Sequence, residues 1–353
     1  MGANLLNIIV TLALQSPSPD TSLSTSPAGI AFERTSDLLQ YNRVQGLSFG
    51  FGYRMPVPGS KSAMAYATVR YGISDERVTG RLSVLDGKPN LRFALTVFQD
   101  IVDVDSVSPG RSISNTVNSL FAGHDNGDYA FSRGALIRVE RSMRPHLALI
   151  VGAQVEGLSS VASVAHSEVN DLLGGSGIFP PNPPVEEGTF TTASVQLRYR
   201  RGTRWVLTSD LLAGSGRLAA RLFGDIHRAI GTGLGVTLRL KAGVATSDGP
   251  PQSLFRLGGL NTVRGFEYGT LRAPAFWAGQ IDITPFKGKI RPVAFFDVGQ
   301  AAAVSDLLSS PALVGGGLGL SLFGGLVRFD LSEALSPDSS GKVRFDLVIR
   351  GVR

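Results

Sequence analysis

Apolar and polar residues alternate along most of this chain, so that every second side chain is apolar. The stretches Leu47–Tyr53, Ala63–Ile73 and Leu147–Val155 show the pattern most clearly. A period of two is the signature of a β-strand with one apolar face. Many of the stretches run for about 10–14 residues, whereas strands of globular proteins are usually ~5–6 residues long. The pattern therefore predicts an all-β protein built from unusually long strands.

Fifteen such strands can be placed along the chain, joined by connections that alternate between short and long. The strands begin near residues 42, 62, 76, 90, 129, 146, 189, 203, 217, 231, 275, 289, 312, 325 and 341. The long connections cover residues 101–128, 158–188, 246–274 and 300–311. Placing all of these on one side of the sheet requires one more strand, and Gly29–Thr35 is the candidate. The expected count is sixteen, an even number that brings both chain ends to one side.

This arrangement favours a membrane barrel over a soluble sandwich. Outer-membrane barrels have short periplasmic turns, long external loops and an apolar surface that faces lipid. Residues such as Phe49, Phe51, Leu149 and Val236 are therefore expected to point outward. Beyond the N-terminus there is no apolar run of about 18 residues, which excludes helical spans. The predicted fold is a sixteen-stranded antiparallel transmembrane β-barrel, closed because lipid cannot satisfy an open sheet edge.

Composition agrees with this fold and excludes several functions. The chain has 353 residues, of which 43% are apolar, with 43 Gly, 19 Pro and no Cys. Without cysteine there are no disulfides and no thiolate metal sites. The net charge of +6 would suit nucleic acid, but the Lys and Arg residues are dispersed among strands and turns instead of forming one cluster. No nucleic-acid partner is expected. The expected surroundings of the protein are the lipids of the bacterial outer membrane.

Residues 1–20 are predicted to be a signal peptide, and residues 21–353 the barrel domain. Leu5–Leu14 is an apolar run of suitable length, and Ser16–Pro19 ends it. No Lys or Arg precedes the run, so a buried apolar strand is the alternative.

The most distinctive sequence lies between Phe255 and Gly299. It contains Leu257-Gly258-Gly259, then Val263-Arg264-Gly265-Phe266, and then Phe295-Phe296-Asp297-Val298-Gly299. An arginine in a glycine-flanked loop, followed by an aspartate on a strand, resembles the outer-membrane assembly and translocation barrel superfamily. That superfamily includes the outer-membrane assembly factors, the two-partner secretion transporters and the bacterial surface antigen family.

The resemblance implies a lock between a loop and the barrel wall. In the family, the arginine lies on an extracellular loop that folds into the lumen, and the aspartate holds it there. The matching residues are Arg264 and Asp297, with Gly265 allowing a sharp turn and Phe266 packing on the wall; Val263 and Gly299 complete the motif. The family often has a third, acidic member on the preceding strand. Gln280 and Asp282 are both candidates for it, and the sequence does not choose between them.

Other residue patterns do not predict catalytic, cofactor or metal sites. The four histidines have no metal-ligand spacing among themselves, and no Gly-x-Ser-x-Gly motif occurs. The glycines of 231–235 and 315–319 fall in predicted strands, where a nucleotide loop would need a helix to follow. Asp125–Asp128 resembles a calcium loop only in part, and a turn is favoured. Ser112–Phe121 is expected to form a short helix within a long loop.

The resemblance implies a role in the insertion or passage of proteins at the bacterial outer membrane, with client or secreted proteins and periplasmic partners. In the family, the first and last strands meet at a weak seam, here Gly29–Thr35 against Lys342–Arg350. Family members usually carry periplasmic POTRA domains, and too few residues precede the first strand for one. The alternative is a passive pore or structural barrel. An enzyme is not expected, because no nucleophile–base set is visible.

Overall fold

A computed structural model describes residues 28–105, 113–231, 234–285, 288–336 and 342–349. The predicted signal peptide lies outside the described residues. Strands dominate the described chain, as expected for an all-β protein. None of the helices in the described ranges is both long and apolar enough to span a membrane.

The described residues form nineteen strands and three short α-helices. The strands are β1 (Gly29–Ile30), β2 (Leu39–Asn42), β3 (Gly46–Pro56), β4 (Met64–Gly72), β5 (Val78–Lys88), β6 (Leu91–Asp103), β7 (Tyr129–Arg144), β8 (Leu147–Ser160), β9 (Gly188–Arg201), β10 (Thr203–Gly214), β11 (Arg217–Ile230), β12 (Gly235–Ala245), β13 (Phe255–Leu257), β14 (Leu271–Ala273), β15 (Ala275–Thr284), β16 (Ile290–Ala302), β17 (Leu313–Leu322), β18 (Val327–Ala334) and β19 (Val343–Ile349). The helices are α1 (Thr35–Leu38), α2 (Ile113–Val117), which continues as a π-helical turn (Asn118–Ala122), and α3 (Glu168–Leu172).

Seventeen of the strands form one antiparallel sheet, and β13 and β14 form a separate hairpin. From β2 to β19, each main-sheet strand pairs with the next one along the chain. Most of the strand starts lie within about two residues of the predicted ones, and the antiparallel all-β fold is confirmed.

The first strand differs from the prediction. Instead of one strand over Gly29–Thr35, β1 and β2 both pair with β3, and α1 lies between them. The chain between the two short strands folds over the glycines of β3. A Cβ at Gly52 would lie 2.3 Å from the carbonyl oxygen of Ala31, and one at Gly50 would lie 2.3 Å from that of Asp37. The two glycines thus permit a break that the alternation of residues alone did not predict.

Loop length separates the two edges of the sheet, as the sequence predicted. One edge carries only connections of seven residues or fewer, at 57–63, 89–90, 145–146, 202, 231–234, 285–289 and 323–326. The other carries all of the long loops, 104–128, 161–187, 246–274, 303–312 and 335–342, together with the short connections 43–45, 73–77 and 215–216. By the rule for outer-membrane barrels, the first edge is periplasmic and the second extracellular.

The two faces of the sheet also differ. One face exposes large apolar side chains to the surroundings, including Phe49 at 51% and Phe51 at 57% of their full accessible area. The other face buries polar and charged side chains, such as Arg70, Asp100 and Asp297. In a soluble protein the apolar face would be buried, so this inverted distribution is that of a sheet surrounded by lipid.

Candidate functional site: the inward loop and the sheet seam

The loop 246–274 folds back onto the polar face of the sheet. Its base is the β13–β14 hairpin, and its tip is the segment 258–270. Apolar side chains of the loop and the wall form a buried cluster: Ala245, Phe255, Leu257, Val263, Ala273, Phe276, Ala278 and Ala301. Phe266 packs against this cluster from a half-buried position. The loop is thus anchored by apolar packing before any charged contact is considered.

Arg264 reaches Asp297 with three hydrogen bonds. Its backbone N–H donates to Oδ2 at 2.9 Å, its Nε donates to Oδ2 at 2.7 Å, and its Nη2 donates to Oδ1 at 2.6 Å. Both side chains are buried. A two-pronged guanidinium–carboxylate contact fixes orientation as well as distance. The structure therefore brings together the two residues that the motif singled out.

Two further carboxylates surround the same guanidinium. Asp282 accepts from Arg264 Nη2 at 2.9 Å, and Asp330 lies 3.5 Å from Nη1. Of the two candidates left open by the sequence, Asp282 contacts the arginine, whereas Gln280 reaches Asp297 only at 3.4 Å. Burial alone would lower the pKa of Arg264, but the hydrogen bonds and charge of Asp297 outweigh it and raise the pKa above its ordinary value.

A second arginine, Arg328 on β18, completes the cluster. It donates to Asp282 and to Asp330, each at 2.6 Å. The ring of Phe295 lies 3.8 Å below the Arg264 guanidinium, a favourable cation–π distance. Arg328 and Asp330 were not among the residues that the motif predicted. Their signal was present, because charged residues alternate with apolar ones along Val327–Leu331 and so share the inward face.

Glycines on both partners let the loop tip touch the wall. Gly265 has φ +91°, and an added Cβ there would lie 2.5 Å from the backbone of Glu333. A Cβ at Gly315 would lie only 1.9 Å from the carbonyl oxygen of Arg264. At Gly299 it would lie 3.2 Å from the Val263 side chain and closer still to Leu257. The loop therefore sits against bare backbone at three places.

A second inward segment, α2 with its π-helical turn, lies at the seam between the first and last strands. In the described part of the chain, β2 pairs with β3 and β19 with β18, and no ladder joins β2 to β19. The outer edge of β19 is bonded by helix side chains instead. The amide of Asn118 donates to Leu347 O at 2.9 Å and accepts from Leu347 N at 2.6 Å. Ser114 Oγ does the same for Ile349, at 3.1 and 2.8 Å.

Helix geometry explains why this capping works. Ser114 and Asn118 are four residues apart and share one helix face, with a rise of ~6.0 Å between them. Leu347 and Ile349 are two residues apart on the strand, a distance of ~6.8 Å. Because these two distances nearly match, Ser114 and Asn118 can each bond the backbone N–H and C=O of one residue of β19. On the other side of the helix, Tyr41 N–H donates to Thr116 Oγ1 at 3.3 Å, so the helix also contacts β2.

The predicted loop helix is therefore present, but its contact with the last strand was not foreseen. Asp125, in the segment that partly resembled a calcium loop, instead accepts hydrogen bonds from Arg43 N at 2.6 Å and from Asn115 and Tyr129 at 2.8 Å. One histidine is less isolated than expected. The side chains of His166, Glu168 and Asp171 lie within 4.8 Å of one another, near the extracellular surface.

Comparison with known proteins finds the fold but no close relative. No family model matches the chain, and no curated protein does. BamA from Haemophilus ducreyi, in a form lacking POTRA domains 1–3, matches with 11% identity and a TM-score of 0.62, over 88% of this chain and 68% of that one. CdiB from Acinetobacter baumannii matches with 16% identity and a TM-score of 0.49, over 85% and 55%. CdiB from Escherichia coli matches with 13% identity and a TM-score of 0.48, over 88% and 60%.

The fold is similar to that of BamA. A sheet of this kind, with an apolar outer face and long loops on one edge, is the form in which β-proteins cross the bacterial outer membrane. The expected location of the protein is therefore confirmed. At 11% identity, the likeness to BamA establishes fold alone.

Proposed function

We propose that this protein acts in the insertion or passage of proteins at the bacterial outer membrane, through a seam between its first and last strands. In this proposal the sheet curves into a barrel with sixteen strand positions, because β1 and β2 occupy one position beside β3. The proposal rests on the hydrogen bonding of β19. In a closed barrel, the outer edge of this strand would pair with the first strand, but here it is bonded to neutral side chains of a loop helix.

A seam of this kind is easier to open than a ladder. Each neutral hydrogen bond contributes about 0.5–1.5 kcal/mol net, and the helix supplies only a few of them. When the helix leaves, lumen water or another strand can take over the freed backbone groups. The ladders elsewhere in the sheet run over seven or more residue pairs, apart from the short pairings of β1 and β2 with β3. Opening is therefore expected at this seam first.

The loop lock has a supporting role in the proposal. Arg264 joins the long extracellular loop to Asp297 on β16, Asp282 on β15 and Asp330 on β18. These strands belong to the half of the sheet that ends at the seam. We infer that the lock keeps this wall rigid while the seam opens, and that no side chain of the cluster acts as a catalyst.

The alternative of a passive pore fits the structure less well. The loop 246–274 and the helices α1 and α2 lie on the inward face, where an open channel would need free space. A cavity of ≈ 410 Å³, whose lining includes the charged residues Arg81, Asp100, Glu156 and Asp210, does remain. Single-channel recording in planar bilayers separates the two functions. We expect small or rare conductance from the intact protein, whereas a steady large conductance would favour the pore.

A disulfide across the seam tests the proposed function directly. The chain has no cysteine, so Asn118→Cys with Leu347→Cys introduces one defined pair. The assay follows folding of a urea-unfolded eight-stranded outer-membrane barrel into phospholipid vesicles that contain the protein. We expect acceleration by the reduced variant, loss of acceleration after oxidation, and recovery with a reducing agent.

The matched control joins two strands that are already paired. Leu331→Cys with Phe345→Cys bridges directly opposed residues of β18 and β19, and its oxidation should leave the rate unchanged. If neither reduced variant accelerates folding, the proposed insertion function is wrong. If oxidation at Asn118 and Leu347 has no effect on an acceleration that is present, the seam is not the route.

A further inference from the structure

We infer that the periplasmic rim of the lipid-facing surface carries a binding site for an anionic phospholipid, formed by Arg201 and Arg228 on β9 and β11. The inference rests on the fold in its membrane and does not depend on the proposed insertion function.

The two arginines stand side by side on the outer face. Thr203 is the direct neighbour of Arg201 on one side and of Arg228 on the other. Residues two and four positions further along β10 and β11, such as Leu207 and Ile226, share this face and are exposed. Both arginines are exposed, and within the described ranges neither lies within 4 Å of a carboxylate. Two uncompensated guanidinium groups thus border the membrane.

Along the strands, the two arginines lie at the depth of the lipid headgroups. The turn at Gly202 belongs to the edge with short connections, which is the periplasmic edge. One step toward the membrane centre, Tyr199 and Trp205 are opposed and stack, with ring centroids 5.8 Å apart. Tyr and Trp concentrate at the membrane–water boundary. The arginines therefore lie just outside that boundary, at the depth of lipid phosphates.

An apolar groove begins beside them. It has a volume of ≈ 480 Å³ and runs from Thr203 and Arg228 past Ile226, Leu238 and Leu240 to Phe296. Gly279 lies in its wall between Leu240 and Val298. A Cβ at Gly279 would meet only Val298, at 3.9 Å, so the missing side chain leaves a hollow. A groove of this shape and polarity accommodates an acyl chain.

The spacing suits one phosphate. Two strand intervals separate the Cα atoms of Arg201 and Arg228 by ~9–10 Å, and two extended arginine side chains can converge across that gap. Guanidinium groups bind phosphate through paired hydrogen bonds. Cationic headgroup contacts at one end and an apolar groove at the other match a glycerophospholipid, which offers a phosphate and fatty chains on the same molecule.

The two tryptophans of the chain allow a local test. Trp205 adjoins the site, whereas Trp277 is bonded to Gln300 near the extracellular edge. In the Trp277→Phe protein, held in mixed micelles, Trp205 is the one remaining tryptophan, and its fluorescence is measured. We expect brominated phosphatidylglycerol to quench it at a lower mole fraction than brominated phosphatidylcholine, by about fivefold for each arginine at the surface. The Trp205→Phe protein, which reports from Trp277, should show no such preference.

Charge-removing variants decide the assignment. Arg201→Gln with Arg228→Gln should abolish the preference for phosphatidylglycerol and leave the residual quenching by phosphatidylcholine unchanged. Arg200→Gln is the matched control, because Arg200 is adjacent in sequence but faces inward. Equal quenching by the two lipids, or loss of preference in Arg200→Gln, would overturn the inference. Relief of the preference by inorganic phosphate at matched ionic strength would reveal a bare anion site and would also overturn it.

Discussion

The loop 246–274 and the helix at 113–122 both fold inward from the extracellular edge, yet they are held by different chemistry. The loop tip is fixed by a buried cluster of two arginines and three aspartates. The helix is fixed to β19 by the neutral side chains of Ser114 and Asn118. Buried charges are costly to separate, whereas neutral hydrogen bonds exchange readily with water. We therefore expect the loop tip to stay bound to the sheet, whereas the contact between the helix and β19 can break and re-form.

The charge balance of the loop cluster sharpens this contrast. Asp297 has Arg264 as its charged partner among the described residues, with Gln280 at 3.4 Å as weak support. Arg264, in contrast, also has Asp282 and Asp330. The two members of the motif are therefore not equivalent, although the sequence presents them as a pair.

The largest effect is expected from Arg264→Ala. It leaves the fully buried Asp297 without its ionic partner, at a cost of ~3–5 kcal/mol for a deeply buried pair. Asp297→Ala should cost less, because Arg264 keeps two carboxylates. Protease nicking of residues 246–274 in intact cells measures the effect. Arg138→Ala, which removes a solvent-exposed guanidinium paired with Glu140 on β7 and away from the loop, is the control and should change little.

The double variant Arg264→Ala with Asp297→Ala tests whether the two residues act as one unit. Because both changes remove the same interaction, nicking of the double variant should be no greater than that of Arg264→Ala alone. Strictly additive sensitivity would mean that the lock between these residues is absent. Greater damage from Asp297→Ala than from Arg264→Ala would contradict the asymmetry.

A smaller effect is expected where the loop meets bare backbone. Gly315→Ala would place a Cβ 1.9 Å from the Arg264 carbonyl oxygen, so the loop tip must shift. Overpacking of this kind costs ~1–3 kcal/mol. Gly224→Ala is the control, because the nearest atom to its Cβ would lie 3.8 Å away. Melting of the detergent-solubilised protein measures both, and equal melting temperatures would show that the tip does not press on β17.

Sequence reasoning succeeded where the determinants are local. A period of two fixes which residues of a strand face outward, and the lengths of the loops fix the two edges. The members of the loop cluster on β15 and β16 lie close to the motif in sequence, so Asp282 was among the candidates. Arg328 and Asp330 lie farther along the chain. Their role depends on the register between β17 and β18, which alternation alone does not set.

The seam could not be predicted from the pattern, for a related reason. Ser114 and Ile349 are 235 positions apart in the sequence, and Asn118 and Leu347 are 229 positions apart. A serine and an asparagine in a loop helix have many possible partners, and nothing local selects the last strand. The break in the first strand likewise depends on what packs over Gly50 and Gly52. In each case a long-range contact overrides the expectation from residue alternation.

The smallest effect, and the one that most directly examines reversibility, is expected from Asn118→Ala. It removes two hydrogen bonds to Leu347, each contributing about 0.5–1.5 kcal/mol, and lumen water can partly replace them. The overall fold should persist, while hydrogen exchange at the Leu347 amide should accelerate about tenfold, since 1.4 kcal/mol corresponds to a factor of ten. The amide of Phe329, within the β17–β18–β19 ladders, serves as the internal reference and should not change. If exchange at Leu347 is as slow as before, the side chain of Asn118 does not hold the seam. If the whole sheet exchanges faster, the helix supports the fold in general, and the contrast between a fixed loop and a reversible seam is wrong.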